Sequence, residues 1–196
     1  QRLTAQGSRE LPPSAMGAEC DVLFTILPNG SVVDSVLFGP DGAAADLRPG
    51  SLVVDMSSVT PEEAKACHRF AQERGVGFLD APVSGGEPKA IDGTLAFMVG
   101  GSQDDFQRAW PYFQAMGASA LLVGPCGCGS TAKLANQIIV NLTIAAVSEA
   151  LVLATKAGAD PEKVYQAIRG GLAGSTVLDV EGVDGLSDTS EGSVSF

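Results

Sequence analysis

Short apolar runs that end in turns alternate with stretches of helical period through the first 125 residues, and this alternation constrains the fold more than any other feature. A strand rejoins a parallel neighbour only through a long crossover, and a helix supplies it. Asp21 to Leu27 reads as a strand closed by the turn Pro28, Asn29 and Gly30. Ser31 to Phe38 is a short helix, stopped by Gly39, Pro40, Asp41 and Gly42, and Ser51 to Met56 is the next strand. Thr60 then stands as N-cap, with Pro61 at the first helical position and Glu63 completing a capping box. That helix reaches about Arg74 and ends at Gly75. Val76 to Leu79 is a third strand, opening into Asp80 to Gly86. Thr94 to Val99 is a fourth, followed by a Ser102-capped helix to about Met116 and a last strand, Ala120 to Val123.

After a glycine-rich turn from Gly124 to Gly129, a helix runs from about Ser130 to Lys156 with apolar residues on nearly every face. Such a pattern predicts a helix buried on all sides, as when it separates two domains. Gly158 ends it, and Asp160 and Pro161 start one more helix to about Arg169. The fold class is therefore α/β: a partial Rossmann-like doubly wound sheet, then a long interdomain helix and the start of an all-α domain. The expected organisation is an incomplete dinucleotide-binding domain over 1–125, the interdomain helix and start of a helical substrate and dimerisation domain over 126–179, and a flexible acidic tail over 180–196. The segment from 181 onward has no Lys or Arg and no sustained period.

Charge narrows the partners. Twelve Lys and Arg against 23 Asp and Glu leave a net −11, a balance that repels phosphate backbones and disfavours nucleic acid. An anionic substrate then requires a local cation, which draws attention to any lysine in a pocket. Cys126 and Cys128 are the only close cysteine pair and His68 the only histidine, so no metal set is expected and the thiols read as reduced. Asn136, Gln137, Asn141, Thr143, Ser148 and Glu149 interrupt the apolar run from Leu134 to Ala157 too often for a bilayer span. The amino end has no apolar signal core. A cytoplasmic protein without membrane attachment is expected.

Three groups of residues have the makings of a site. Ser84, Gly85 and Gly86 follow a strand's carboxyl end, where open α/β sheets bind ligands, and paired glycines let backbone N–H groups approach an anion. An ordinary turn explains the same residues equally well. Lys133 lies in the first turns of the long helix, with Asn136 and Gln137 on its face at i+3 and i+4. Desolvation and the helix dipole both lower the pKa of such an amine toward a general acid/base value. The plainer alternative is a stem lying on apolar surface with its head in water. Leu27, Pro28 and Asn29, and Ser57 and Ser58, end consecutive strands on one sheet edge, as cofactor-cleft residues or as turns.

Long strings decide among these alternatives. FLDAPVSGGEPKAIDGTLAFMVGG (Phe78–Gly101) resembles the substrate-binding signature of the β-hydroxyacid dehydrogenases, the 3-hydroxyisobutyrate dehydrogenase-related family. TAKLANQIIVNLTIAAVSEALVLATKAG (Thr131–Gly158) resembles that family's catalytic helix, and YQAIRGGLAGSTVLD (Tyr165–Asp179) extends the likeness. The resemblance implies an NAD- or NADP-dependent oxidoreductase acting on a small semialdehyde or hydroxyacid, and a homo-oligomer. Tartronate semialdehyde is the implied substrate, with a 3-hydroxyisobutyrate-type substrate or a non-catalytic fragment as alternatives. Lys133 would be the catalytic acid/base. Ser84, Gly85, Gly86, Asn136 and Gln137 would bind substrate, and Leu27, Pro28, Asn29 and Ser58 would touch the cofactor.

Two departures from the pattern carry expectations of their own. No G-x-G-x-x-G turn follows a strand near the amino end, although the family opens with a βαβ unit of ~30 or more residues that carries it. The family also continues past the position of Asp179 into further helices with a second functional lysine. The chain as it stands is therefore expected to hold a dinucleotide weakly and to be weakly active or inactive.

Overall fold

The structure, a computed structural model, describes residues 5, 7–44 and 46–180. The acidic tail expected from 180 onward thus lies, from 181, outside the described residues. Contacts divide the chain into two compact units, Gln1–Leu134 and Ala135–Phe196.

In the first unit the elements run α1 (Pro13–Glu19), β1 (Val22–Thr25), α2 (Gly30–Phe38), β2 (Leu52–Asp55), α3 (Pro61–Gln72) and β3 (Gly77–Asp80). They continue through β4 (Val83–Ser84), α4 (Gly86–Asp92), β5 (Leu95–Gly100), α5 (Gln103–Met116) and β6 (Gly117–Gly124) to α6 (Cys128–Lys156). α1, β4 and α4 go beyond the elements expected from sequence. Strands β1, β2 and β3 pair parallel in that order. β5 takes the last residue of β3 and the whole of β4 antiparallel, and pairs parallel with β6. The antiparallel step arises because only α4 and its flanking residues join β4 to β5, so the chain doubles back beside itself.

Local signals account for the helices. Thr60 Oγ1 accepts the Glu63 N–H at 3.2 Å while the Glu63 carboxylate accepts the Thr60 N–H at 2.8 Å, the reciprocal cap expected from the sequence. α3 then buries Ala64, Cys67 and Ala71 on one stripe. Ser102 caps α5, which buries Phe106, Ala109 and Phe113. Alternate strand residues feed two cores. Val53 and Phe78 pack with Val33 and Leu37 on one face of the sheet, and Leu52, Val54 and Leu79 pack with Phe106 and Phe113 on the other. Both faces of β2 are covered, as a doubly wound sheet requires.

The second unit holds the rest of α6 and α7 (Pro161–Ile168), capped by Asp160. Tyr165 is buried there, and its hydroxyl donates to Asp179 at 3.0 Å. The expectation of a helix buried on all sides fails for α6. Only Gly129 and Ser130 are buried, while Ile138, Ile139, Leu142 and Leu153 are 62–71 % exposed. Its apolar residues encircle the helix, but α7 and the segment after it reach only part of that surface. An apolar pocket of about 310 Å³ lies beside them, lined by Val147, Leu151, Ile168 and Leu178 among others.

Candidate active site

Polar residues end three adjacent strands in register: Thr25 pairs with Asp55, and Asp55 with Asp80. All three are buried. A carboxylate at the end of an apolar strand is costly unless hydrogen bonds satisfy it. Asp55 Oδ1 accepts from Thr25 Oγ1 at 2.8 Å, from the Ser57 hydroxyl and from the Ser57 N–H. The Ser57 hydroxyl oxygen accepts the Leu27 N–H at 2.9 Å. One carboxylate thereby ties the loop after β1 to the loop after β2. Leu27, Pro28 and Asn29 come together there with Ser58, and Pro28, Asn29 and Ser58 face solvent. The Asn29 side-chain oxygen caps α2 by accepting from Val32 N and Ser31 Oγ, so that oxygen is already committed.

Asp55 Oδ2 has no hydrogen-bond partner among the described residues. Burial pushes this carboxyl above its ordinary value of 3.8, against the lowering effect of the Ser57 and Thr25 hydrogen bonds, and the charge of Asp80 adds to the rise. The charged form is therefore penalised in the fold. That penalty is absent below pH 3.8 and fully present above the folded value, so Asp55's contribution to stability falls as pH rises between them. Asp55→Asn is accordingly expected to gain stability relative to the parent as pH climbs through that window, read from urea unfolding at a series of pH values. A difference that stays flat with pH would contradict the sign.

Ser84 lies in β4 opposite Ala96 of β5. Gly85 follows with φ +135° and Gly86 with φ +64°, left-handed backbone that side chains resist. The pair is thus a built bend. Lys133 lies on the second turn of α6, half-buried, and burial lowers its pKa from the ordinary 10.5. In the second unit, Asn136 and Gln137 are half-buried, and the Asn136 amide donates to Gln137 Oε1 at 3.1 Å.

The sequence reading missed Thr25, Asp55 and Asp80. Their signal was a polar residue within or just after each of three apolar runs. Burial pushes the Cys67 thiol up to about 12 and the Cys126 thiol higher still, which disfavours the thiolate of both. Among the described residues no group of three His, Cys, Asp or Glu could hold a metal ion.

Comparison with known proteins gives two adjoining family matches. Residues 2–124 match the NAD binding domain of 6-phosphogluconate dehydrogenase, and residues 127–187 match the NAD-binding domain of NADP-dependent 3-hydroxyisobutyrate dehydrogenase. The chain is 50 % identical over 162 residues to 2-hydroxy-3-oxopropionate reductase of Escherichia coli (strain K12), covering 83 % of this chain and 56 % of that protein. It superposes on Mycobacterium tuberculosis 3-hydroxyisobutyrate dehydrogenase with L-serine at TM-score 0.76 and 36 % identity, over 84 % of this chain and 55 % of that one. It also superposes on Psf3 in complex with NADP+ and 2-OPP at TM-score 0.87 and 26 % identity, over 95 % of this chain and 66 % of that one. The chain spans about half the length of the curated relatives it matches. By length and apolarity alone α6 is the one helix among the described residues able to cross a membrane, but it lies within the second match, so those properties accompany a dinucleotide-binding architecture.

Proposed function

Because the chain belongs to the NAD-binding domain family of 6-phosphogluconate dehydrogenase, within the 3-hydroxyisobutyrate dehydrogenase-related β-hydroxyacid dehydrogenases, we propose that it serves the NAD(P)H-dependent reduction of tartronate semialdehyde, 2-hydroxy-3-oxopropionate, to glycerate. The observation that carries this reading is Lys133: a half-buried amine, held below its ordinary pKa by desolvation, on a helix whose first turn is fastened to the sheet edge. Such an amine donates a proton to a developing alkoxide more readily than a solvated lysine does.

The dinucleotide supplies the hydride. In the loops after β1 and β2, Leu27, Pro28, Asn29 and Ser58 would be the residues that hold it. Ser84, Gly85 and Gly86 would take the substrate carboxylate through hydroxyl and backbone N–H donors. The Lys133 ammonium would give its proton to the carbonyl oxygen of the semialdehyde, and water would restore that proton afterwards. The 50 % identity to the E. coli reductase, against 36 % to a 3-hydroxyisobutyrate dehydrogenase of Pseudomonas aeruginosa, favours the tartronate substrate.

Loss of reduced-nicotinamide absorbance with tartronate semialdehyde tests the proposal under single-turnover conditions, protein in excess. Tartronate semialdehyde is expected to be reduced faster than methylmalonate semialdehyde, the oxidised partner of 3-hydroxyisobutyrate. Equal or inverted rates would move the assignment to the sister activity, and no turnover of either by a version extended to the relatives' full length would remove it. We further expect a homo-oligomer, since the exposed Ile138, Ile139 and Leu142 leave an apolar face that water disfavours. Sedimentation velocity giving a soluble monomer at all concentrations would exclude association.

A further inference from the structure

We propose that Asp80 is a positioning residue that locks the start of α6, and with it Lys133, onto the carboxyl end of β3. The inference rests on the acid role given to Lys133 above. Asp80 is 1 % exposed, and both of its carboxylate oxygens are committed to one helix end. Oδ1 accepts the Gly127 N–H at 2.8 Å and Oδ2 accepts the Ser130 N–H at 2.7 Å. The first four N–H groups of a helix have no partner within it, and a carboxylate there also opposes the positive end of the helix dipole. Charge-assisted bonds of this kind are about twice as strong as neutral ones.

Backbone packing fixes the same joint. A Cβ on Gly129 would overlap the carbonyl oxygens of Asp80 and Met98, and a Cβ on Gly100 would overlap the Asp80 carboxylate. The helix start therefore lies against the ends of β3 and β5, with no side chain between. From this joint the chain runs two ways. Ser84 follows Asp80 by four residues, and Lys133 follows Ser130 by three, on the same side of the helix one turn on. Asp80 belongs to the strand that leads to Ser84 and bonds the root of the helix that carries Lys133. A shift of ~1 Å in a reacting group can cost about 100-fold in rate, so the clamp bears on the chemistry without touching substrate.

Asp80→Asn tests this with little change in volume. One amide oxygen replaces two acceptors, and the amide NH2 confronts the second backbone N–H donor to donor. Hydrogen exchange of residues 127–133 is expected to quicken at least about tenfold, while β1 and β2 keep their rates. Competitive acylation of Lys133 across pH, read by mass spectrometry, is expected to show its pKa rising toward the ordinary value as its burial is relieved. A role confined to general stability would speed exchange throughout the sheet and leave the Lys133 titration where it was. Gly129→Ala keeps the carboxylate but forces the helix start off the strand end, and is expected to move the Lys133 titration the same way. Unchanged exchange at 127–133, uniform acceleration, or an unmoved Lys133 in both variants would overturn the proposal. Neither readout needs turnover, so a failed semialdehyde assay beside a shifted Lys133 would sink the function and leave the clamp standing.

Discussion

In a version extended to the full length of its relatives, Lys133→Ala is expected to slow the reduction of tartronate semialdehyde by ~100-fold or more, the loss that follows removal of a general acid/base. That factor corresponds to about 2.7 kcal/mol of transition-state stabilisation. Alanine removes the proton donor and leaves the helix intact, because alanine is the strongest helix former and Lys133 is neither a cap nor part of the buried joint. Binding of the reduced dinucleotide, measured by its fluorescence, is expected to persist, since Leu27, Pro28 and Ser58 belong to the ends of β1 and β2. Lys133→Arg is not expected to restore the rate, because a guanidinium stays protonated and gives up no proton. The measurement is a single-turnover rate for each variant beside the parent. A loss under about threefold would remove Lys133 from the role, since general acid/base catalysis contributes far more.

Legibility from sequence followed the range over which each signal acts. Thr60, Pro61 and Glu63 specify their cap within four residues, and the structure reproduces both hydrogen bonds. The α3, α5 and α7 starts were readable for the same reason. β6 begins at Gly117, three residues before the apolar run suggested, because its first residues are recruited by pairing with β5. α4 has Gly85 at its N-cap and no side-chain cap, so nothing local announces it. Asp80 was invisible as a clamp because its partners lie 47 and 50 residues away. The exposure of α6 was unreadable for a different reason: an all-round apolar pattern reports what a helix requires of its surroundings, and the chain around Ile138 and Leu142 does not provide it.

Phe78→Ala is expected to cost the first unit ~3–5 kcal/mol, the range for deleting a fully buried aromatic ring. Phe78 is 0 % exposed in the middle of β3, within the core shared with α2 and α3 and near the His68 ring. The methyl group that remains cannot fill the space, because Val53, Ala64 and Cys67 of the same core belong to separate, hydrogen-bonded elements that collapse only in part. With total stability on the order of 5–15 kcal/mol for a domain, the loss is roughly a fifth of the whole at the least. Because β3 ends in Asp80, loosening it also loosens the joint that carries α6. Ile91, 76 % exposed on α4, supplies the contrast: Ile91→Ala is expected to stay within about 0.5 kcal/mol of the parent. Urea unfolding of both variants beside the parent separates burial from composition, since each removes one large apolar side chain. A Phe78→Ala loss below about 1 kcal/mol would mean that β3 is not the packed centre of the sheet, because a side chain removed from such a centre costs several times that.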